Sequence, residues 1–165
     1  MYSLEELLTK GGFIMGMNFY FITRNKKIAE KFAPYSFALT DTPYWGYKIH
    51  IAKTSAGWLP LFQYHSNGIS SVKDIKDAYD TGKIEIYDEC EQKYLWDEFD
   101  ERVLKFNGGV AGVAKPVKYD KSSKYADMDM PDYLPASHFD YARGIYSGDY
   151  FKDDKGYEFS INNFR

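Results

Sequence analysis

Alternation of side-chain type from Tyr44 to Tyr64, YWGYKIHIAKTSAGWLPLFQY, constrains the fold of this chain more than any other stretch. Tyr47, Ile49 and Ile51 fall on one side of an extended backbone and Lys48, His50 and Ala52 on the other, the period-two pattern of a strand with one buried face. Thr54, Ser55, Ala56 and Gly57 are too small to fill a core and suit a turn in which Gly57 takes a positive φ. Alternation resumes with Trp58, Pro60, Phe62 and Tyr64 against Leu59, Leu61 and Gln63, so the stretch reads as a β-hairpin. Pro60 cannot donate to a ladder, which predicts a second strand at a sheet edge or bulged there.

The flanking segments add strands and two main helices. Asn18 to Thr23 is a short aromatic and β-branched run, predicted as the first strand, and Lys26 to Phe32 is long enough for one or two helical turns before Pro34. A helix through Asp80 is expected, with Ser70 or Ser71 as its cap, Asp74 in its first turn, Val72, Ile75 and Tyr79 on one face, and Gly82 just past its end. Lys83 to Tyr87 reads as a strand with Ile84 and Ile86 inward. The acidic group Asp88, Glu89 and Glu91 reads as a solvated turn, and Lys93 to Leu95 pairs back. The second helix starts at Asp97, carries Phe99, Val103 and Phe106 on one side, and ends at Asn107 to Gly109.

Beyond Gly109, prolines, Ser, Asp, Lys and tyrosines replace periodic apolar residues, and Tyr157 to Ile161 regains alternation as a final strand. The expected fold is therefore α+β: a mostly antiparallel sheet with two main helices and a loop-rich C-terminal segment. Residues 15–109 form the core and 110–165 pack upon it. Residues 1–14 form an extension in which Ser3 caps a short helical pattern. A second reading competes there, because Lys10 to Gly12 can be encoded as a purine-rich ribosome-binding site ahead of Met15. That places the native start at Met15 or Met17 and the source in a bacterium or bacteriophage.

Composition removes several function classes. With 21 basic and 24 acidic side chains and a net charge of −3, the chain has no basic stripe for duplex nucleic acid. No apolar run approaches the ~20 residues that span a bilayer, and the N-terminus lacks the basic start and apolar core of a secretion signal. Its one cysteine, Cys90, excludes an internal disulfide framework, fits a reducing cytoplasm, and lacks the sequence context of a nucleophile. The 16 Tyr, 12 Phe and 3 Trp make an aromatic fraction of 19%, which suits recognition surfaces and is equally produced by AT-rich codon usage.

The turn Lys53 to Gly57, KTSAG, is the leading candidate site. Consecutive N–H groups around a glycine, with Lys53, Thr54 and Ser55, can cradle a phosphate or carboxylate, although the order and flanking helix of a Walker loop are missing. Trp45, Trp58 and nearby tyrosines can add stacking for a base. Lys48 and His50 complete a binding set of Trp45, Lys48, His50, Lys53, Thr54, Ser55 and Trp58. The bland reading is an ordinary hairpin loop with core aromatics and a structural histidine. His50, His65 and His138 are not paired with each other or Cys90 at ligand spacing, so no metal or cofactor is expected. An acid–base pair of His50 with Asp88 or Glu89 is the weakest candidate.

KIHIAKTSAGWLPLFQ, the helix Ser71 to Asp80, IEIYDE and WDEFDERV together resemble a family of small bacteriophage proteins with no agreed biochemical role. In that family a strand ends in a His-x-x-Lys-Ser-Ser-like turn before Gly-Trp, with an acidic turn and an EF-containing helix downstream. The likeness covers residues 17–109 and the GYEFS near the end, and departs at Thr54 and at Cys90-Glu91, where Tyr-Gly is more usual. It implies a non-catalytic accessory protein that acts in the host bacterial cytoplasm by binding and inhibiting a host defence protein. The alternatives are a nucleotide-signal sponge using the Lys53 to Gly57 turn and a small hydrolase using His50.

Overall fold

A computed structural model describes residues 16–32, 38–40, 46–55, 58–106, 108–110, 116–117, 130–131, 149–162 and 164. The 1–14 extension, Trp45, Ala56 and Gly57 lie outside these residues. The elements run β1 (Met17–Thr23), α1 (Lys26–Phe32), β2 (Ala38–Thr40), β3 (Gly46–Thr54), β4 (Leu61–Gln63), α2 (Val72–Asp80), β5 (Glu85–Asp88) and β6 (Lys93–Tyr94). They continue with α3 (Trp96–Phe99), which passes into a π-helical turn (Asp100–Leu104), then β7 (Pro116–Val117), β8 (Met130–Pro131), β9 (Tyr150–Lys152) and β10 (Glu158–Ser160).

The class is α+β, as expected. One eight-stranded sheet has the order β6-β5-β1-β3-β4-β10-β9, with β2 beside β3, and its pairs are antiparallel except for β10 on β4. β7 and β8 make a separate two-stranded ladder. The strand expected within Tyr157 to Ile161 is thus β10, and with β9 it completes the main sheet.

The inward residues of the strands and the apolar faces of all three helices form one cluster, which places the helices over one face of the sheet. Phe19, Phe21, Phe62, Phe99 and Phe159 have no exposure, and each contributes about 2–3 kcal/mol relative to a solvated ring. Phe19 meets Tyr94 and Phe99 edge-on, with centroids 5.4 and 5.9 Å away.

Helix ends follow local chemistry. Asn25 Oδ1 accepts from the Lys27 and Ile28 amides at the start of α1. Ser71 is the cap of α2, its hydroxyl accepting from Asp74 N at 3.0 Å, while Asp74 reaches back to Ser70. Gly82, at φ +75°, ends that helix where a side chain would be strained. Asp153 turns the β9–β10 hairpin by accepting from Tyr157 N at 2.9 Å, and its other oxygen accepts from Val72 N at 2.9 Å. One carboxylate thereby docks the C-terminal hairpin on the first turn of α2.

Three expectations about the central hairpin are corrected. β4 is an interior strand between β3 and β10, and only Leu61 to Gln63 is in the ladder, so Pro60 sits just outside it with no N–H to lose. Ala52 does not face outward with Lys48 and His50. The β1–β3 register pairs Phe19 with Ala52 but Tyr20 with His50, leaving Ile51 as an extra residue on β3. Such a bulge turns two successive side chains to one side, and both Ile51 and Ala52 are in the core with no exposure. The third correction is Thr54, below.

Candidate functional site: the outer face of β1 and β3

The bulge at Ile51 decides which side chains meet. Without it, alternation would send Lys53 to the side opposite His50. With it, Lys53 stands across from Asn18, and Asn18 Oδ1 accepts from His50 Nε2 at 2.9 Å, so Lys53 joins Lys48 and His50 on the face away from the helices. Three residues of the expected binding set, Lys48, His50 and Lys53, thus share one face.

Its geometry is a stack. Lys48 Nζ lies 3.9 Å from the centroid of the Tyr20 ring, Tyr20 is 5.4 Å from His50, and Phe164 meets His50 edge-on at 4.8 Å. Gly16 makes room beside it, since a Cβ there would stand 2.7 Å from Lys53 Cε and 2.8 Å from Ser55 Oγ. Lys53 and Ser55 therefore converge over the glycine. Thr54, expected with them, faces Met17 on the core side and is buried, because it lies within the strand. Trp58 follows in the loop, half-buried, with its amide closing a turn onto Ser55 O at 3.1 Å. Lys48, His50 and Lys53 are partly buried rather than fully solvated.

Among the described residues, Phe164 lies against His50 in the stack. Gln63 is buried at 1% exposure, and its Nε2 donates to Tyr64 O at 3.2 Å, Ser160 O at 3.3 Å and Asn162 O at 3.2 Å. Its Oε1 accepts from Phe164 N at 3.4 Å. One amide thus bonds to Ser160, Asn162 and Phe164, and the Phe164 ring lies against His50. Compared with protein-family models, curated proteins and solved structures, the chain has no match.

His50 Nε2 is bonded to the Asn18 side-chain amide, a group that neither takes nor supplies a proton near neutrality. The acidic partners considered for it are held elsewhere. Asp88 lies opposite Phe19 and accepts from Cys90 N, Gln92 N and the Tyr94 hydroxyl, so it is a buried organiser of the acidic turn rather than part of a solvated one. Glu89 and Glu91 are exposed as expected, and Glu89 Oε1 accepts from Asn18 N at 2.8 Å. Burial, then the Asp88 and Glu89 charges, push the Cys90 thiol up and away from the reactive thiolate. Among the described residues no group of three or more His, Cys, Asp or Glu is arranged to hold a metal ion, and no helix is long and apolar enough to cross a membrane.

Sequence reasoning missed Tyr20, Asn18, Gln63 and Phe164. Asn18, half-buried, and Tyr20, buried, lie within a run read only as a strand, and Gln63 and Phe164 act through long-range contacts. It also missed a second surface, where Leu95 is 61% exposed beside Trp96, whose ring lies 5.8 Å from Tyr79 with Lys76 Nζ 5.1 Å above it.

His65 braces the site from the edge of β3. Its Nε2 donates to His50 O at 2.7 Å on the open edge of β3 between β2 and β4. Burial holds its imidazole below the ordinary 6.5, against the His50 and Phe32 carbonyls, which favour the protonated ring. The unfolded chain then binds the proton more readily, so this contribution to stability is complete above about pH 6.5 and is lost as pH falls through the lower folded value. Urea midpoints are expected to fall between pH 7.5 and 5.5 by more in the wild type than in His65→Gln. Equal losses would remove His65 as the cause.

Proposed function

We propose that this protein is a non-catalytic binding protein that captures and inhibits a host protein through the outer face of β1 and β3, in the setting of bacteriophage infection. The observation that carries the reading is the grouping of Lys48, His50 and Lys53, each half-buried, on one face of the sheet, with the Tyr20 ring buried against Lys48 and His50. Aromatic rings with cations at their margin are the composition of interface hot spots, and rigid rings lose little entropy on binding. The His50 to Asn18 bond supports a fixed surface in place of a proton-transfer site.

Capture of the tagged protein from host cells tests it. Wild type is expected to retain one host protein in near-stoichiometric amount, and the Lys48→Glu/Lys53→Glu variant to lose at least about tenfold of it, since hot-spot truncations reach 2 kcal/mol or more. Leu95→Asp, on the helical side, leaves capture intact. Loss with Leu95→Asp and not with the lysine variant would overturn the choice of surface.

A second reading is a nucleotide sponge. Lys53 and Ser55 side by side over Gly16 favour it, because they place an ammonium and a hydroxyl together at the end of an aromatic stack.

A further inference from the structure

The end of the sheet where β1 leads into α1 carries a concentration of positive charge that the chain's overall balance conceals. The Thr23 hydroxyl donates to Lys83 O at 3.0 Å and accepts from Asn25 N at 3.1 Å, so the β1–α1 turn and the α2–β5 turn lie side by side. Arg24, Lys26 and Lys27 from the first and Lys83 from the second are all exposed, in a chain whose net charge is −3. The nearby acids are fewer and engaged. Glu30 stands 3.8 Å from Lys26, and Glu85 accepts from the Tyr87 hydroxyl at 2.8 Å and lies 3.3 Å from Lys93.

Lys27 stands where local chemistry disfavours it. A helix dipole is positive at its N-terminal end, and α2 and α3 answer it with Asp74 and with Asp97 and Glu98 in their first turns. α1 has no acid there and opens on Lys26 and Lys27. Lys27 also precedes Lys31 by one helical turn, so two like charges share one side of the helix. Lys26 has Glu30, whereas Lys27 and Lys83 form no ion pair among the described residues. Both are exposed, so packing does not account for them either. A cation that weakens its own helix, with no internal partner to offset the cost, is a local rule broken for something outside the chain.

We infer that this cationic end is a docking surface for an acidic segment of a partner protein, engaged through Lys27 and Lys83 with Arg24 and Lys26 beside them. It goes beyond the outer face and does not depend on the function proposed for that face. Charge complementarity selects the occupant. Separate carboxylates can meet separate cations on either side of Glu30, whereas an evenly charged phosphodiester chain would be held against that carboxylate. The other exposed residues of the two turns are Asn25, Thr81 and Gly82, which offer no ring for base stacking and no large apolar side chain for a lipid surface.

The experiment uses the full chain as wild type, Lys27→Glu, Lys83→Glu and Lys155→Glu, the last making the same change of net charge at the exposed β9–β10 turn. The probes are a fluorescein-labelled peptide of alternating Asp and Glu and an oligothymidylate of equal charge, followed by fluorescence anisotropy at low salt. Wild type is expected to bind the peptide more tightly than the oligonucleotide. Lys27→Glu and Lys83→Glu each weaken the peptide about fivefold, and Lys155→Glu leaves it unchanged. Lys27→Glu is also expected to raise Tm by about 2–4 °C, since it puts an anion at the positive end of α1 and an opposite charge one turn before Lys31. A variant that folds more firmly and binds more weakly separates loss of the surface from loss of the fold.

No binding of the peptide by wild type overturns the surface. So does a peptide affinity that Lys27→Glu or Lys83→Glu leaves unchanged, or that Lys155→Glu lowers as much as they do. Equal or tighter binding of the oligothymidylate overturns the choice of an acidic protein segment. A Tm that fails to rise in Lys27→Glu overturns the argument from misplaced charge.

Discussion

Asp88→Ala is expected to lower the unfolding free energy by about 4 kcal/mol, the largest effect of any single polar substitution considered, because charge-assisted bonds contribute 1.5–3 kcal/mol each and overlap when lost together. Asp88 accepts from Cys90 N at 2.8 Å, from Gln92 N at 3.0 Å and from the Tyr94 hydroxyl at 2.7 Å. Alanine leaves all three donors without that partner, and the phenol is in the core, where water does not replace the carboxylate. Burial and then the bond to Asp88 push the Tyr94 phenol well above its usual value, so it remains a donor throughout the working pH range. Glu91 follows in the left-handed region at φ 66°, a conformation this turn imposes on a residue with a side chain. Chemical denaturation measures the loss. Asp88→Asn, which keeps an acceptor for the turn amides, is expected to lose clearly less, and a loss below about 1 kcal/mol in Asp88→Ala would place the turn's stability elsewhere.

Gln63→Leu keeps the volume and removes the amide, and its expected loss is about 2–3 kcal/mol from bonds contributing near 1 kcal/mol each. The effect is asymmetric along the chain. Ser160 O keeps its bond from Tyr64 N, and Asn162 O keeps the Ser160 hydroxyl, so the β4–β10 pairing survives. Phe164 N loses its acceptor. Amide hydrogen exchange is therefore expected to accelerate at Phe164 far more than at Phe159. Equal acceleration at both would show that Gln63 supports the sheet as a whole and not Phe164 in particular.

Much of this fold was legible because local chemistry and tertiary packing agree. The α2 boundaries followed from Ser71, Asp74 and Gly82, and the short helix after β1 followed from its length and charge. β5 and β6 were marked by alternation at Ile84, Ile86 and Tyr94, and the return of a strand near Tyr157 by the same signal. Phe99 and Val103 were correctly placed inward, while the passage of α3 into a π-turn at Asp100 carries no local signature.

The site was legible only in part. A period-two pattern contains no mark of a bulge, so Ala52 read as outward and the company of Lys53 was right for a reason the alternation itself does not supply. Thr54 read as a turn hydroxyl because small residues follow it, whereas β3 continues through it against Met17. Pro60 pointed to an edge, but a strand begun one residue later loses nothing in an interior position. Gln63, 97 residues from Ser160, and Phe164 on His50 are encounters that no local window contains. Asp88 was taken with its exposed neighbours Glu89 and Glu91, since charge alone does not say which carboxylate of a turn faces in.

Everything proposed for the outer face depends on the extra residue in β3, and cross-strand nuclear Overhauser contacts measure it directly. The bulge predicts Tyr20 against His50 and Asn18 against Lys53 in one spectrum. A continuous ladder would instead show Tyr20 against Ile51, carry His50 to the helical side with Phe21, and leave Lys53 without the stack it is said to join.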